Sequence, residues 1–259
     1  MTAAVRVERR ANGVTTVTVD SPPLNLYDAA LHAEFRSAVD NLAGNPPRAV
    51  LIQADGRVVS AGMDVAVFDG LHTVDDAVDY LAELMALTRQ IQDLPCPTVF
   101  AAHGLCLTWA FEVALACDLI LATDRAGFGL IERTIGLIPA MGGIHRLAQR
   151  AGSARAAEMV LTGGCFEAAT LERWNVVNRV LPVSGFREQA LAVAGQLAVG
   201  PPRAQAAFKR VLNRSRVDDA GLDRFTAEVA GGLFAGRDLR DAVRSHLRGG
   251  PGRAVFRGD

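Results

Sequence analysis

Two hydrophobic periods alternate along the chain, and together they predict a mixed α/β fold. Val5 to Glu8 and Val14 to Val19 are short runs on either side of an Ala-Asn-Gly turn, which predicts a hairpin of two strands. Beyond Pro22-Pro23, apolar residues recur at Leu31, Phe35, Val39 and Leu42, the spacing of one helical face. Asp28 is placed to cap that helix and Asn45-Pro46-Pro47 to stop it. Ala49 to Gln53 has the length and apolarity of a buried strand. It delivers the turn Ser60-Ala61-Gly62-Met63-Asp64, in which Asp64 is placed to cap the next helix. Val78, Leu81, Met85 and Ile91 mark a second amphipathic helix, closed by Pro95-Cys96-Pro97. Strand and helix patterns then keep alternating, which excludes an all-helical bundle or an all-β fold. Ser153 is placed to cap a helix that stops at Gly163, and Asn175 suits the left-handed conformation common at helix ends. From about Ser184 the pattern is helical. Pro201-Pro202 sits in a first turn, and Phe208, Val211 and Leu212 make an apolar face.

Within this pattern one stretch combines apolar surroundings with isolated charge. His103 to Gly143 runs HGLCLTWAFEVALACDLILATDRAGFGLIERTIGLIPAMGG. A Gly-containing turn leads into an apolar helix whose first turn carries a single charge, Glu112, in FEVALA. A strand-like run from Asp118 to Thr123 follows, then a loop with a second acid, Glu132, and a Gly/Pro turn. Burying an ionised carboxylate is costly unless it is paired or hydrogen-bonded. Alone, Glu112 also reads as a solvent-facing complement to the helix dipole, and Glu132 as a loop acid paired with Arg133. Together they read as an acid and a base on either side of one reacting group.

Composition narrows the classes. With 259 residues, half of them hydrophobic, the chain can bury a large core in one or two domains. A net charge of −1 favours neither nucleic acid nor an anionic membrane as partner. Lys209 is the only lysine, so basic duties fall to arginine. Cys96, Cys106, Cys117 and Cys165 lack metal-ligand spacing and read as reduced thiols, and no metal site is expected. The N-terminal MTAAVRVERRANG has no apolar signal core and no apolar run is long enough for a bilayer, so a soluble cytoplasmic protein is expected. His103 and His145 have no partner in the pattern and read as structural or surface residues.

Several ordered motifs resemble those of the enoyl-CoA hydratase/isomerase (crotonase) superfamily. HGLCLTWAFEVALACD is similar to the family's NGxALGGGxELALACD, and FGLIERTIGLIPAMGGIHRL to its FGxPExxxGLIPGAGGxxRL. VSAGMDV (Val59 to Val65) resembles FSAGADL, and EMVLTG, FEAATLERWNVVNRVLP and PPRAQAAFKRVLN fit in order downstream. The resemblance spans nearly the whole chain. It implies an α/β spiral of repeated ββα units over residues 1–198 with a C-terminal helical region, 199–259, serving oligomer contacts and an active-site lid.

The resemblance also implies chemistry. Family members hold an acyl-CoA thioester and stabilise its enolate with two backbone N–H groups, which fall here on Met63 and Trp109. The paired acids fall on Glu112 and Glu132, and keeping both implies a hydratase that adds water to a trans-2-enoyl-CoA. Substrate contacts are implied for Ala61, Asp64 and Gly136, and arginines for the CoA phosphates. No cofactor is implied beyond the CoA of the substrate, and the assembly implied is a homotrimer or a dimer of trimers, with the Arg-rich helix from Arg237 to Arg248 available to the interface. Two departures stand out: Thr108-Trp109-Ala110 replaces the family's GGG, and Ile131 replaces a Pro. A Trp109 side chain pointing into the site would favour another enolate reaction (isomerisation, decarboxylation or thioester hydrolysis) or a non-catalytic acyl-CoA binder. Pointing away, it leaves the site open.

Overall fold

A computed structural model describes residues 3–216, 222–250 and 253–254. The last part of the C-terminal region, at 255–259, and its segments at 217–221 and 251–252 lie outside the described residues. The strands are β1 (Val5–Arg9), β2 (Val14–Val19), β3 (Ala49–Ala54), β4 (Thr98–Ala102), β5 (Cys106–Leu107), β6 (Leu119–Thr123), β7 (Gly127–Gly129), β8 (Cys165–Glu167) and β9 (Arg179–Leu181). The helices are α1 (Ala29–Gly44), α2 (Ala66–Asp69), α3 (Val74–Asp93), α4 (Trp109–Ala116), α5 (Gly143–Ala151), α6 (Ser153–Thr162), α7 (Ala168–Arg173), α8 (Phe186–Ala198), α9 (Pro202–Arg216), α10 (Leu222–Gly232) and α11 (Arg237–Gly249).

The main sheet has the order β1-β2-β3-β4-β6-β9. The predicted hairpin is its antiparallel edge, and every later pairing in it is parallel. Parallel strands are covered on both faces, and alternate residues of β3 show it. Val50 and Ile52 join the large core with α1, α3 and α4, whereas Ala49 and Leu51 face Phe186, Ala190 and Ala194 of α8. Asp28 accepts from the Leu31 N–H at 2.7 Å to cap α1, and Leu31, Phe35, Val39 and Leu42 are buried as their spacing predicts.

Some local expectations need correction. The residue preceding α6 is Gly152, at φ 83, so Ser153 is the first helical residue and its hydroxyl makes no cap. The helix after Asp64 is the single turn α2. Asp64 does bond the Ala66 N–H at 3.0 Å, but the long α3 starts from a separate capping box, Thr73 with Asp76. Two of the three apolar residues predicted as a face of α9 point outward, Phe208 and Val211 being 63% and 72% exposed, and Leu212 is half-buried. α9 instead buries Lys209, whose Nζ donates to Cys96 O at 2.9 Å and to Asp118 at 2.7 Å. Asn175 is left-handed at φ 62, as expected.

A second sheet, β5-β7-β8, was not foreseen, because its strands are too short to show a period. It is what organises the site. Ser60 makes a parallel bridge to Cys106, and β5 runs parallel to β7. The three carboxyl ends therefore lie side by side, leading to Met63, Trp109 and Glu132. Among the described residues no helix is long and apolar enough to cross a membrane.

Candidate active site

All eight residues of α4 are buried, Glu112 among them at 2% exposure. Its Oε2 accepts the main-chain N–H of Met141 at 2.8 Å and of Gly143 at 2.6 Å. Gly143 opens α5, so the carboxylate sits at the positive end of a helix dipole, on a donor the helix itself cannot use. The glycine is required by approach: a Cβ there would lie 2.8 Å from Glu112 Cγ and Oε2. Arg146, also buried, donates to Met141 O at 2.8 Å, to Thr88 Oγ1 at 3.2 Å and to Gln92 Oε1 at 2.7 Å, which braces this turn. Burial pushes the Glu112 carboxyl up to about 7, while the two N–H bonds and the Arg146 charge hold it from rising further.

Glu132 opens a short 3-10 turn, Glu132–Ile135, and is also turned inward, at 9% exposure. Ile131 before it has φ −104, away from the −65° or so that a proline would impose, yet the acid still reaches the interior. Arg133 does not pair with it and donates instead to Thr162 O at 3.1 Å. Glu132 Oε2 is buried with no hydrogen-bond partner among the described residues. Burial first, then the nearby Glu112 charge, raises this carboxyl well above the ordinary carboxylate range. The two acids are thus brought together but not treated alike: Glu112 is the one that ionises first, and Glu132 holds its proton more firmly. Gly136, in the left-handed region at φ 75, closes the turn, and α11 packs over it through a face that includes buried Leu239, Ala242 and Val243.

Beside the pair lie two turns with unused donors. Neither the Met63 nor the Trp109 main-chain N–H has a hydrogen-bond partner among the described residues. The turns abut, since a Cβ on Gly62 would meet Thr108 Oγ1 at 3.1 Å. Thr108 occupies φ 47, ψ −117, a backbone conformation suited to glycine, and its buried hydroxyl oxygen lacks a partner among the described residues. The Trp109 indole does not enter this space. It is 2% exposed, stacked on Tyr27 at 4.6 Å and edge-on to Phe35 at 5.9 Å, with Nε1 donating to Ser60 Oγ at 2.7 Å. Ala61 donates its N–H to Leu24 O at 3.0 Å, and Asp64 is occupied with Ala66. Among the described residues no group of three or more His, Cys, Asp or Glu could hold a metal ion. His103 bonds Gly56 O at 3.0 Å, and three of the four cysteines are buried.

Arg146, Ser60 and the Met141 N–H belong to this arrangement and were not singled out from the sequence. The Gly142-Gly143 pair was the available signal, since adjacent glycines mark close backbone approach. Arg146 is the Arg of GGIHRL, which matches the GGxxRL of the family motif, but in a chain so rich in arginine nothing in the pattern gave it a role.

A family model described as enoyl-CoA hydratase/isomerase matches residues 9–232. A protein of Rhizobium meliloti named probable enoyl-CoA hydratase is 32% identical over 237 residues, covering 90% of this chain and 91% of that one. The carnitinyl-CoA dehydratase of Salmonella typhimurium is 35% identical over 205 residues, covering 78% of this chain and 77% of its own. The crystal structure of an enoyl-CoA hydratase from Mycobacterium avium subsp. paratuberculosis superposes with a TM-score of 0.83 at 26% identity, over 94% of this chain and 99% of that one. The sheets, the paired buried glutamates and these similarities agree: the fold is crotonase-like, and the chain belongs to the enoyl-CoA hydratase/isomerase family.

Proposed function

We propose that this protein catalyses reversible addition of water to a trans-2-enoyl-CoA, giving the 3-hydroxyacyl-CoA. The observation that carries the reading is the unequal acid pair, one glutamate taking two main-chain N–H donors and one with a buried oxygen that has no partner among the described residues, beside two unpaired main-chain N–H groups. Glu112 takes a proton from water as its oxygen bonds to the β-carbon. The double-bond electrons move onto the thioester oxygen, which the N–H groups of Met63 and Trp109 receive as an oxyanion hole. Glu132 then delivers its proton to the α-carbon as the thioester carbonyl re-forms. The charge has moved from Glu112 to Glu132, and proton transfer back between them restores the pair. Ala61, Asp64 and Gly136 shape the binding side, and arginines take the CoA phosphates, for which a planar guanidinium is well suited. The reaction so written uses no metal or redox cofactor, and assembly as a trimer or a dimer of trimers belongs to the same reading.

With the indole packed on Tyr27, an obstructed, non-catalytic binder loses its motive. The test follows loss of the conjugated-enoyl absorbance with crotonyl-CoA and a longer 2-enoyl-CoA, with product analysis across a panel of acyl-CoAs. Hydration that falls by roughly 10²- to 10⁴-fold in Glu132→Gln supports the reading. A wild-type protein that binds enoyl-CoA without hydrating it, or a Gln variant of full activity, overturns it.

A further inference from the structure

The tryptophan that replaces a glycine of the family motif is built into the backbone it borders. Its indole Nε1 donates to Ser60 Oγ at 2.7 Å. The same oxygen accepts the Gly62 main-chain N–H at 2.9 Å and donates its own hydrogen to Asn25 O at 2.7 Å, so the fully buried hydroxyl uses one donor and two acceptor sites. The ring cannot turn away, because Tyr27 and Phe35 pack against it. Tyr27 in turn grips the other side of the same turn: its N–H donates to Gly62 O and its carbonyl accepts from Asp64 N, both at 3.1 Å. Gly62 and Asp64 are therefore both tied down, and the N–H between them, on Met63, is the one left free.

We propose that the Trp109 indole and the Ser60 hydroxyl are positioning residues that hold the Met63 and Trp109 main-chain N–H groups at the separation an oxyanion requires. This rests on the oxyanion-hole reading above. A glycine at this place, as in the family motif, has no side chain with which to link the two turns. Here the residue that supplies one donor reaches around, through its ring, to the segment that supplies the other. A side chain hydrogen bond and a stack are short-range and stiff, and small misplacement of catalytic groups is costly in rate.

The test uses Trp109→Phe, which keeps the stack and loses the N–H, Ser60→Ala, which loses the shared oxygen, and the double variant. Thermal unfolding first establishes that each is folded. The diagnostic readout is the infrared carbonyl stretch of a saturated acyl-CoA carrying a ¹³C thioester carbonyl, bound and free. It reports polarisation by the two donors and does not require turnover. The expected result is a downshift in the wild type that shrinks in both single variants. kcat for hydration should fall roughly 10- to 100-fold while acyl-CoA affinity changes far less. The double variant should be little worse than either single one, since both remove one link. A full downshift with unchanged kcat in folded Trp109→Phe and Ser60→Ala overturns the strut alone. No downshift in the wild type overturns the strut together with the oxyanion-hole reading. A wild-type downshift without enoyl hydration overturns only the proposed reaction, and the variants' infrared shifts then still decide the strut.

Discussion

Glu112→Gln should make the protein less active, and its stability relative to the wild type should rise with pH. The ordinary glutamate value of 4.5 is raised to about 7 in the fold, chiefly by burial. A carboxyl whose folded value is raised contributes most stability below the unfolded value and loses it as pH rises through the folded one. At about 1.4 kcal/mol per pH unit, ionised Glu112 costs the fold about 3 kcal/mol at high pH, of which about 2.5 kcal/mol develops between pH 5 and pH 8. Because Glu112 is buried, solvent does not screen this cost away.

Glutamine keeps the shape and an oxygen for the Met141 and Gly143 N–H groups, but it cannot ionise. Any fixed misfit, such as its NH2 facing the Ala140 N–H that helps hold the carboxylate, acts equally at both pH values and cancels in the difference. Urea unfolding of wild type and variant at pH 5 and pH 8 measures it. The variant's relative stability should rise by about 2.5 kcal/mol from the lower to the higher pH. Enoyl-CoA hydration by the same protein should fall by roughly 10²- to 10⁴-fold. Stability curves that stay parallel across this range would show that Glu112 is not a strained buried acid, and the assignment of its role would go with it.

Further outcomes follow from the same geometry. Hydration (kcat/KM against pH) should rise as pH increases through about 7, where Glu112 ionises, and decline at higher pH, where Glu132 loses its proton; a flat profile refutes the pairing. Thr108→Gly should raise the melting temperature by about 2–4 °C, because a glycine suits φ 47, ψ −117 and the strain of about 1–3 kcal/mol outweighs the entropy glycine adds, about 0.5–1 kcal/mol. Gly143→Ala should cost about 1–3 kcal/mol in urea unfolding and most of the activity, since the new Cβ meets Glu112 at 2.8 Å. Lys209→Met should destabilise by about 2 kcal/mol, less than a fully buried pair, because Asp118 retains the Thr98 N–H and hydroxyl.

What was legible in the chain was whatever repeats or breaks a pattern locally. The α1 face, its Asp28 cap, the left-handed Asn175 and the isolation of Glu112 in an apolar run all depend on near neighbours in sequence. What was not legible depends on groups brought from afar. β5, β7 and β8 exist because Ser60, Cys106, Phe128 and Phe166 meet in a sheet. The direction of the Trp109 ring is decided by Tyr27, Phe35 and Ser60, none of them near it in sequence. α9 shows the same limit from the other side. Its apolar residues had helical spacing, but the buried position went to a lysine, because Cys96 O and Asp118 supply the hydrogen bonds that let an ammonium enter.

Glu112 and Glu132 are the same side chain, so any division of labour between them comes from their surroundings. Both lose water, which alone would leave both protonated. Glu112 recovers part of that loss from two N–H donors at a helix start and from Arg146, while Glu132 Oε2 has no such partner and faces the Glu112 charge as well. When the pair carries a single negative charge, that charge therefore rests on Glu112. Hydration as proposed leaves it on Glu132, the less favourable site, so the proton transfer that restores the pair runs downhill. Arg146 does not need to touch substrate to take part in this. By binding Met141 O it aims one of the N–H groups that hold Glu112, and its charge adds to their preference for ionising Glu112 first.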